Sequence, residues 1–241
     1  MARHYKEITY TAPLSTPLKS DAYLAPSNGE WRLIVLPGTP CRKALYKRFL
    51  RTAPPNLEVV VVSRPGFGKG HHTAILDWDE QIKTIEPFLS DKKIIVMGVS
   101  YGGELALKSA LQFEEVKAVV TLSALIDEPW NYMRRLEKAG GYPLIRDVIP
   151  NRWERVRQEI NGRRSRIGPL LESLSSLTKP VEVIHGDFDS LVAKSNADTL
   201  MNFLGDKGRL EIIRGGTHYL EFQYPRRIHA GVARAIERAT L

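Results

Sequence analysis

Short apolar runs alternate with longer amphipathic stretches along most of the chain. Runs rich in Val, Ile and Leu predict buried strands, and stretches whose apolar residues recur at helical spacing predict helices. The predicted strands cover residues 32–36, 57–63, 93–99, 116–122, 181–185 and 209–213. The predicted helices cover residues 43–51, 74–89, 104–113, 191–204 and 223–238. Apolar strands separated by helices indicate an α/β fold with a parallel sheet that is covered on both faces.

Two parts of the chain depart from this alternation. Residues 6–10 and 22–25 are more polar strand candidates, which are suited to an antiparallel edge of a mostly parallel central sheet. Residues 127–166 are rich in Arg, Trp and Gly and predict short helices joined by loops. Because ligands bind at the carboxyl ends of the strands in open α/β sheets, we expect this insertion to form a small helical cap over that edge. The chain is therefore predicted to be a single domain over residues 1–241, with the cap inserted at 127–166.

The composition is ordinary for a globular protein. The 241 residues are 43% hydrophobic and 26% charged, which excludes disordered, collagen-like and coiled-coil classes. Cys41 is the only cysteine, so no internal disulfide can form and no oxidising compartment is implied. The N-terminus lacks the apolar run of a signal peptide, and no apolar run is long enough to span a bilayer. We therefore expect a cytoplasmic protein without stable membrane insertion.

The formal net charge is +8. A basic balance raises the possibility of nucleic acid, an anionic surface or an acidic substrate as a partner. The densest basic stretch contains Arg152, Arg155, Arg157, Arg163, Arg164 and Arg166. We expect this stretch to be a solvated helical face, with attraction of an anionic substrate as the alternative. The sequence has neither zinc-finger spacing nor an aromatic-rich RNA-binding motif, so no nucleic-acid partner is expected.

One segment combines a strand, a serine and a helix in the order that a nucleophilic serine requires. Gly98-Val99-Ser100-Tyr101-Gly102 has the form G-x-S-x-G, in which the serine occupies a tight turn between a strand and a helix. The predicted strand 93–99 precedes the serine, and the predicted helix 104–113 follows it. Glycines suit the flanking positions because side chains there would clash in the strained turn. Ser100 is therefore the candidate nucleophile.

A serine hydroxyl needs a base to take its proton, and a histidine suits that role near neutral pH. His218 lies in a glycine-rich loop after the last predicted strand. From there its side chain can reach over the turn that carries Ser100, so it is the candidate base. His185 and His229 are expected to be structural. His71 and His72 lie in a loop that could approach the site, but two adjacent histidines do not make a metal site without further ligands.

The imidazole in turn needs a carboxylate that fixes its tautomer. Asp189, in the loop after the predicted strand 181–185, is the first candidate. Asp187 in the same loop is the second, although aspartates in such loops often cap turns. Asp127, after the preceding strand, is the third. The order Ser100, Asp189, His218 is the chain order expected for a serine in a G-x-S-x-G elbow.

Acyl transfer places negative charge on the former carbonyl oxygen, which backbone N–H groups must stabilise. One donor is expected from Tyr101, at the start of the helix after the serine, where the helix dipole adds to it. The other is expected from the loop Pro37-Gly38-Thr39-Pro40. Prolines have no N–H, so Gly38 and Thr39 are the only local donors, and Thr39 is our choice.

Together these motifs resemble the α/β-hydrolase superfamily, over nearly the whole chain from residue 32 onward. The resemblance is carried, in order, by Pro37-Gly38-Thr39-Pro40, Arg64-Pro65-Gly66-Phe67-Gly68, residues 98–103, His185-Gly186-Asp187-Phe188-Asp189 and Gly216-Thr217-His218. It implies a catalytic triad of Ser100, Asp189 and His218 and an oxyanion hole made by Thr39 and Tyr101. The family often has His-Gly where this chain has Pro37-Gly38, which argues against some close subfamilies. A serine at the elbow also argues against the dehalogenase and epoxide-hydrolase branches.

The resemblance implies hydrolysis of a small or medium carboxylic ester through an acyl-enzyme, without a cofactor or metal. The same groups could cleave a thioester, an amide or a carbon–carbon bond beside a carbonyl, because specificity lies in the cap and loops. A non-catalytic relative that binds a small ligand, and a basic surface-binding protein, are the other hypotheses. The expected partner is a small-molecule substrate, and whether the chain forms a homodimer is left open.

Overall fold

The computed structural model describes residues 3–68, 73–127 and 151–241, apart from the side chain of Arg152. Eight strands form one sheet in the order β1-β2-β4-β3-β5-β6-β7-β8. The strands are β1 (Lys6–Ala12), β2 (Leu18–Ala25), β3 (Trp31–Leu36), β4 (Leu57–Val62), β5 (Lys93–Val99), β6 (Val116–Leu122), β7 (Val181–Gly186) and β8 (Gly208–Ile213). All eight predicted strands are present, with ends that move by a few residues.

The sheet is parallel from β4 to β8 and antiparallel at one edge. β1 pairs with β2 and β2 pairs with β4 in antiparallel register, while β3 pairs with both β4 and β5 in parallel register. The central strands β4 and β7 are buried along their whole length, whereas β1 alternates between exposed and half-buried positions. This difference in burial explains why β4 and β7 are more apolar than β1, because only strands covered on both faces can be apolar throughout.

Helices cover both faces of the sheet. In the described parts of the chain they are α1 (Lys47–Arg51), α2 (Trp78–Ile82), α3 (Tyr101–Gln112), α4 (Asn151–Gly162), α5 (Arg164–Ser173), α6 (Ser195–Leu204), α7 (Leu220–Gln223) and α8 (Pro225–Ala239). Phe49, Ile228 and Val232 pack on one face, in a core separate from that of Leu105 and Leu170 on the other. None of these helices is long and apolar enough to cross a membrane.

Two predicted helices begin later than the sequence indicates. The helix predicted from residue 74 begins at Trp78, because the Asp77 side chain accepts hydrogen bonds from the N–H groups of Asp79 and Glu80 in its first turn. The helix predicted from residue 191 begins at Ser195. Residues 191 and 192 do not form the expected first turn of this helix, because their N–H groups both donate to Asp189 Oδ1. A local side-chain acceptor outcompetes the helix in both places.

The predicted cap falls largely outside the part of the chain that the structure describes. Residues 128–150 are not described, and the remainder of the predicted insertion forms α4 and the beginning of α5. The predicted end of the cap at residue 166 lies inside α5. In α4, Val156 and Ile160 are 4% and 2% exposed, so this helix packs firmly on the core of the protein.

Buried His229 leads us to expect a pH-dependent stability. Its Nε2–H donates to the backbone oxygen of Phe49 at 3.0 Å, its Nδ1 has no hydrogen-bond partner, and burial lowers its pKa to about 4. The unfolded chain binds a proton at this residue below about pH 6.5, so the free energy of unfolding should rise with pH between about 4 and 6.5. Urea unfolding should show about 2 kcal/mol more of this rise between pH 5 and pH 7 in the wild type than in His229→Gln. An identical rise in both proteins would contradict the assignment.

Candidate active site

Ser100 occupies a strained turn between β5 and α3. Its backbone has φ 52° and ψ −122°, in the left-handed region that side chains rarely adopt. The Ser100 N–H donates to the Leu122 backbone oxygen on the neighbouring strand at 2.9 Å, which holds the turn in place. A Cβ on Gly98 would lie 2.1 Å from the Gly102 oxygen, and a Cβ on Gly102 would lie 2.1 Å from the Leu36 oxygen. The flanking glycines are therefore needed for the turn, as the sequence predicts.

The loop after β3 lies directly against this serine. A Cβ on Gly38 would come within 2.9 Å of both the Ser100 Cβ and the Val99 oxygen. Thr39 follows at the next position, and its buried Oγ1 has no hydrogen-bond partner. Tyr101 is the first residue of α3, so its N–H has no acceptor within the helix. The structure thus places Gly38 and Tyr101 beside Ser100, and Thr39 is the next residue of the Gly38 loop.

His218 and Asp189 are joined by a hydrogen bond. The distance between His218 Nδ1 and Asp189 Oδ2 is 2.8 Å, and both residues are buried. An ionised carboxylate can only accept, so the proton of this bond lies on Nδ1 and the lone pair of the ring lies on Nε2. This is the tautomer in which a histidine can take a proton from a serine.

The environment of Asp189 keeps its carboxylate charged. Burial alone would raise its pKa, but the hydrogen bond from His218 and those from the Leu191 and Val192 N–H groups lower the pKa below its ordinary value. His185 also lies close, with its Nε2 3.6 Å from Asp189 Oδ2 and 3.0 Å from the Val192 oxygen. Burial lowers the pKa of His185, which favours the neutral ring that donates to this oxygen.

The two other candidate acids lie elsewhere. Asp187 is exposed, and its Oδ1 accepts a hydrogen bond from the Gly215 N–H at 2.6 Å, so it shapes the loop that carries His218. Asp127 is also exposed, and its backbone oxygen accepts from Arg163. His71 and His72 lie outside the described residues.

Ser100, His218 and Asp189 all follow strands that end at the same edge of the sheet. Ser100 follows β5, Asp189 follows β7 and His218 follows β8, and these strands are parallel. Ser100 Oγ and the His218 ring, both in described segments, are not hydrogen-bonded to each other. Such contacts often tighten only when substrate is bound. Among the described residues, no three His, Cys, Asp or Glu side chains are grouped so that they could hold a metal ion.

The family model described as "Alpha/beta hydrolase family" matches residues 33–230. This match covers the sheet from β3 onward together with the serine turn and the His218 loop. The chain belongs to the alpha/beta hydrolase family. Family membership and the eight-stranded sheet confirm the predicted fold class, and they identify the protein as a hydrolase.

Several solved structures share the fold of this alpha/beta hydrolase at low sequence identity. An alpha/beta hydrolase from Penicillium sp. sh18 has a TM-score of 0.70 at 15% identity and covers 99% of this chain and 100% of its own. A thermophilic esterase from Thermogutta terrifontis has a TM-score of 0.69 at 13% identity, with 96% and 99% covered. A Pyrococcus furiosus esterase has a TM-score of 0.66 at 16% identity, with 98% and 90% covered. No curated protein sequence matches the chain.

Two buried ion pairs of this hydrolase were not predicted from the sequence. Arg64 pairs with Glu159, and Arg163 pairs with Glu104, and all four side chains are almost completely buried. Glu159 lies on α4 and Arg163 directly follows that helix, one turn after Glu159, and Val156 and Ile160 lie on the same face of α4. Val156 and Ile160 are spaced as on one face of a helix, and such a pair indicates that the face is buried. This spacing was the signal in the sequence that Glu159 and Arg163 could be buried as well.

The arginine-rich stretch is consequently not one solvated face, as the charge run led us to expect. Arg163 is 1% exposed and bound to Glu104. Arg157 forms an ion pair with Glu154, and Arg166 donates to the backbone oxygen of Gly162. These three arginines are bound within the protein, which removes the support they would give to an anionic substrate.

Proposed function

We propose that this protein is a serine hydrolase that cleaves a small or medium carboxylic ester through an acyl-enzyme intermediate. Ser100 is the nucleophile, His218 the general base and acid, and Asp189 the carboxylate that orients His218. The observation that carries the proposal is the hydrogen bond of 2.8 Å between His218 and Asp189, on the same sheet edge as the strained Ser100 turn. A serine, a base and an orienting acid in this arrangement are the requirements for nucleophilic acyl transfer.

In the first half of the reaction, Ser100 Oγ attacks the ester carbonyl carbon while its proton moves to His218 Nε2. The tetrahedral intermediate then collapses, the bond to the alkoxide breaks, and His218 gives its proton to the leaving alcohol. In the second half, water attacks the acyl-enzyme while His218 takes its proton; the bond between the acyl carbon and Ser100 Oγ then breaks, His218 returns the proton to Oγ, and the carboxylic acid leaves. Asp189 stays ionised throughout and stabilises the imidazolium, a role that its lowered pKa supports.

The oxyanion of both intermediates is stabilised in this proposal by the N–H groups of Thr39 and Tyr101. Tyr101 heads a helix of 12 residues, so the positive end of the helix dipole points to the developing charge. Gly38 lies within contact distance of Ser100, so the loop donors are close to the reacting carbon. Preorganised donors of this kind are commonly the largest single contribution to acyl-transfer catalysis.

An ester is the bond to test first among the bonds that this chemistry can cleave. Two of the proteins with similar structures are esterases by name, and ester hydrolysis is therefore the first activity to assay. Arg157, Arg163 and Arg166 of the 152–166 stretch are bound within the protein, so these three give no support to a charged acyl group. Thioesters, amides and activated carbon–carbon bonds remain chemically open to the same groups.

A panel of p-nitrophenyl esters of increasing acyl length tests the proposal. We expect turnover of short and medium acyl chains; Ser100 and His218 are only 7% and 9% exposed, so an acyl group must pass neighbouring residues to reach them. Turnover must depend on Ser100, so Ser100→Ala is assayed in parallel. A folded wild-type protein that turns over no ester would contradict ester hydrolysis and direct the assays to amides and carbon–carbon bonds.

A further inference from the structure

The Arg64 guanidinium is a buried cation that the serine chemistry does not use. It is 0% exposed and lies 4.8 Å from the centroid of the Tyr101 ring. All five of its N–H donors have acceptors. They donate to the Pro37 oxygen at 2.7 Å, the Gly38 oxygen at 3.1 Å, Gln81 Oε1 at 3.0 Å and both carboxylate oxygens of Glu159, one of them at 3.0 Å. Because all of its N–H donors are hydrogen-bonded, the guanidinium is held in one position.

Two of these acceptors belong to the loop that supplies the oxyanion donors. The carbonyl of one residue and the N–H of the next point in opposite directions across a trans peptide bond. Arg64 binds the oxygens of Pro37 and Gly38, so the N–H groups of Gly38 and Thr39 point away from Arg64. Gly38 packs against Ser100, so the loop whose peptide planes Arg64 holds lies beside the nucleophile. The guanidinium therefore determines the orientation of both peptide planes.

Glu159 of α4 keeps the Arg64 cation in place. The carboxylate is fully buried and receives two hydrogen bonds from the guanidinium. A buried guanidinium without a counter-charge would be strongly destabilised. Burial alone would lower the pKa of Arg64, but Glu159 raises it above its ordinary value, so the group remains charged. The chain of contacts thus runs from α4 through Glu159 and Arg64 to the oxyanion loop.

We propose that Arg64 is a positioning residue for the oxyanion hole, and that Glu159 on α4 holds it in its working orientation. The proposal rests on the proposed serine hydrolase function. It assigns to α4, a helix remote in sequence from the catalytic motifs, a role in stabilising the transition state. Loss of this contact should lower kcat and leave KM nearly unchanged, because ester binding in the ground state does not need the oxyanion donors.

The second buried ion pair, at the end of α4, provides a matched control. Arg163 is as buried as Arg64, pairs with Glu104, and donates to two backbone oxygens, those of Leu125 and Asp127. It fixes the end of α4 to the same core, and among the described residues it forms no hydrogen bond or ion pair with the loop at residues 37–40. Arg163→Lys therefore reproduces the loss of a buried guanidinium without the loss of the oxyanion contacts.

The test compares Arg64→Lys with Arg163→Lys in the full-length protein. For each variant the melting temperature, kcat and KM on a p-nitrophenyl ester, and Ki for a trifluoromethyl ketone are measured, with kcat normalised to titrated active sites. A lysine has one ammonium group and cannot bind both carbonyls and Glu159 in the same geometry. Arg64→Lys should lower kcat about ten- to a hundredfold with KM within about threefold, and should raise the ketone Ki by the same factor as kcat falls. Arg163→Lys should lower the melting temperature but leave kcat per active site within about threefold.

Equal losses of kcat in the two variants, or an unchanged kcat in Arg64→Lys, would overturn the proposal. If Arg64→Lys does not fold, Glu159→Gln is compared with Glu104→Gln in the same way. The proposal then requires that Glu159→Gln lower kcat about ten- to a hundredfold more than Glu104→Gln does, and equal losses overturn it. Failure of the proposed function would look different, since the wild-type protein itself would then show no turnover that depends on Ser100. In that case the positioning role falls with the function.

Discussion

Replacing Ser100 by alanine should lower kcat for ester hydrolysis by about a millionfold, to the level of residual binding and oxyanion stabilisation. Ser100 Oγ is the only protein atom in the proposed mechanism that forms a bond to the acyl carbon. Its removal leaves the turn intact, because the φ of 52° is a backbone property and alanine is no larger than serine. The measurement is the steady-state rate on the best ester of the panel, with the melting temperature as the check on folding.

Ser123→Ala is the matched control for this variant. Ser123 follows β6 as Ser100 follows β5, is buried, and also has a positive φ, of 45°. It lacks the flanking glycines and does not precede a described helix. Its replacement should leave kcat within about threefold of the wild type, as is usual for a substitution outside the site. A comparable loss in both variants would show that the effect of Ser100→Ala is structural.

Replacing Asp189 by asparagine should lower kcat by about ten-thousandfold. Asparagine keeps the shape of the side chain, but its amide can donate to Nδ1 of His218, which places the ring proton on Nε2 and blocks the acceptance of the serine proton. The two N–H groups of Leu191 and Val192 can still donate to the remaining carbonyl oxygen, so the loop should keep its form. The loss should therefore appear in kcat with little change in the melting temperature.

Asp187→Asn tests whether this effect is specific to Asp189. Asp187 lies two residues away in the same loop but is exposed and bound to the Gly215 N–H, not to His218. The asparagine oxygen can accept the same hydrogen bond, so kcat should stay within about threefold of the wild type. If Asp187→Asn is the more damaging of the two substitutions, the assignment of Asp189 as the orienting acid is wrong.

Much of the fold and the candidate site could be predicted because the signals are local in sequence. The apolar run of β5 leads directly into Ser100, and the glycines beside it are required by backbone contacts as close as 2.1 Å. The loops carrying Asp189 and His218 follow strands whose composition already indicates a parallel sheet. The choice of Asp189 over Asp187 and Asp127, which the sequence left open, agrees with the hydrogen bond to His218, and its catalytic role stays a prediction.

The buried charges could not be predicted, because their partners are far apart along the chain. Arg64 and Glu159 are 95 residues apart, and Arg163 and Glu104 are 59 residues apart. Charge runs are usually solvated, so the run itself gave no sign that Arg163 is buried, and only the spacing of Val156 and Ile160 indicated a buried face there. The starts of α2 and α6 were misplaced for a similar reason, since aspartate side chains capture the N–H groups that a first turn would use.

The central claim, that Ser100 is a nucleophile activated by His218 and Asp189, is tested most directly by covalent labelling. A fluorophosphonate is incubated with the wild type, Ser100→Ala and Asp189→Asn, and the adduct is located by intact-mass and peptide mass spectrometry. The account predicts one adduct per chain, on Ser100, formed much more slowly in Asp189→Asn and absent in Ser100→Ala. A folded wild-type protein that gains no adduct, or gains it on another residue, would contradict the claim.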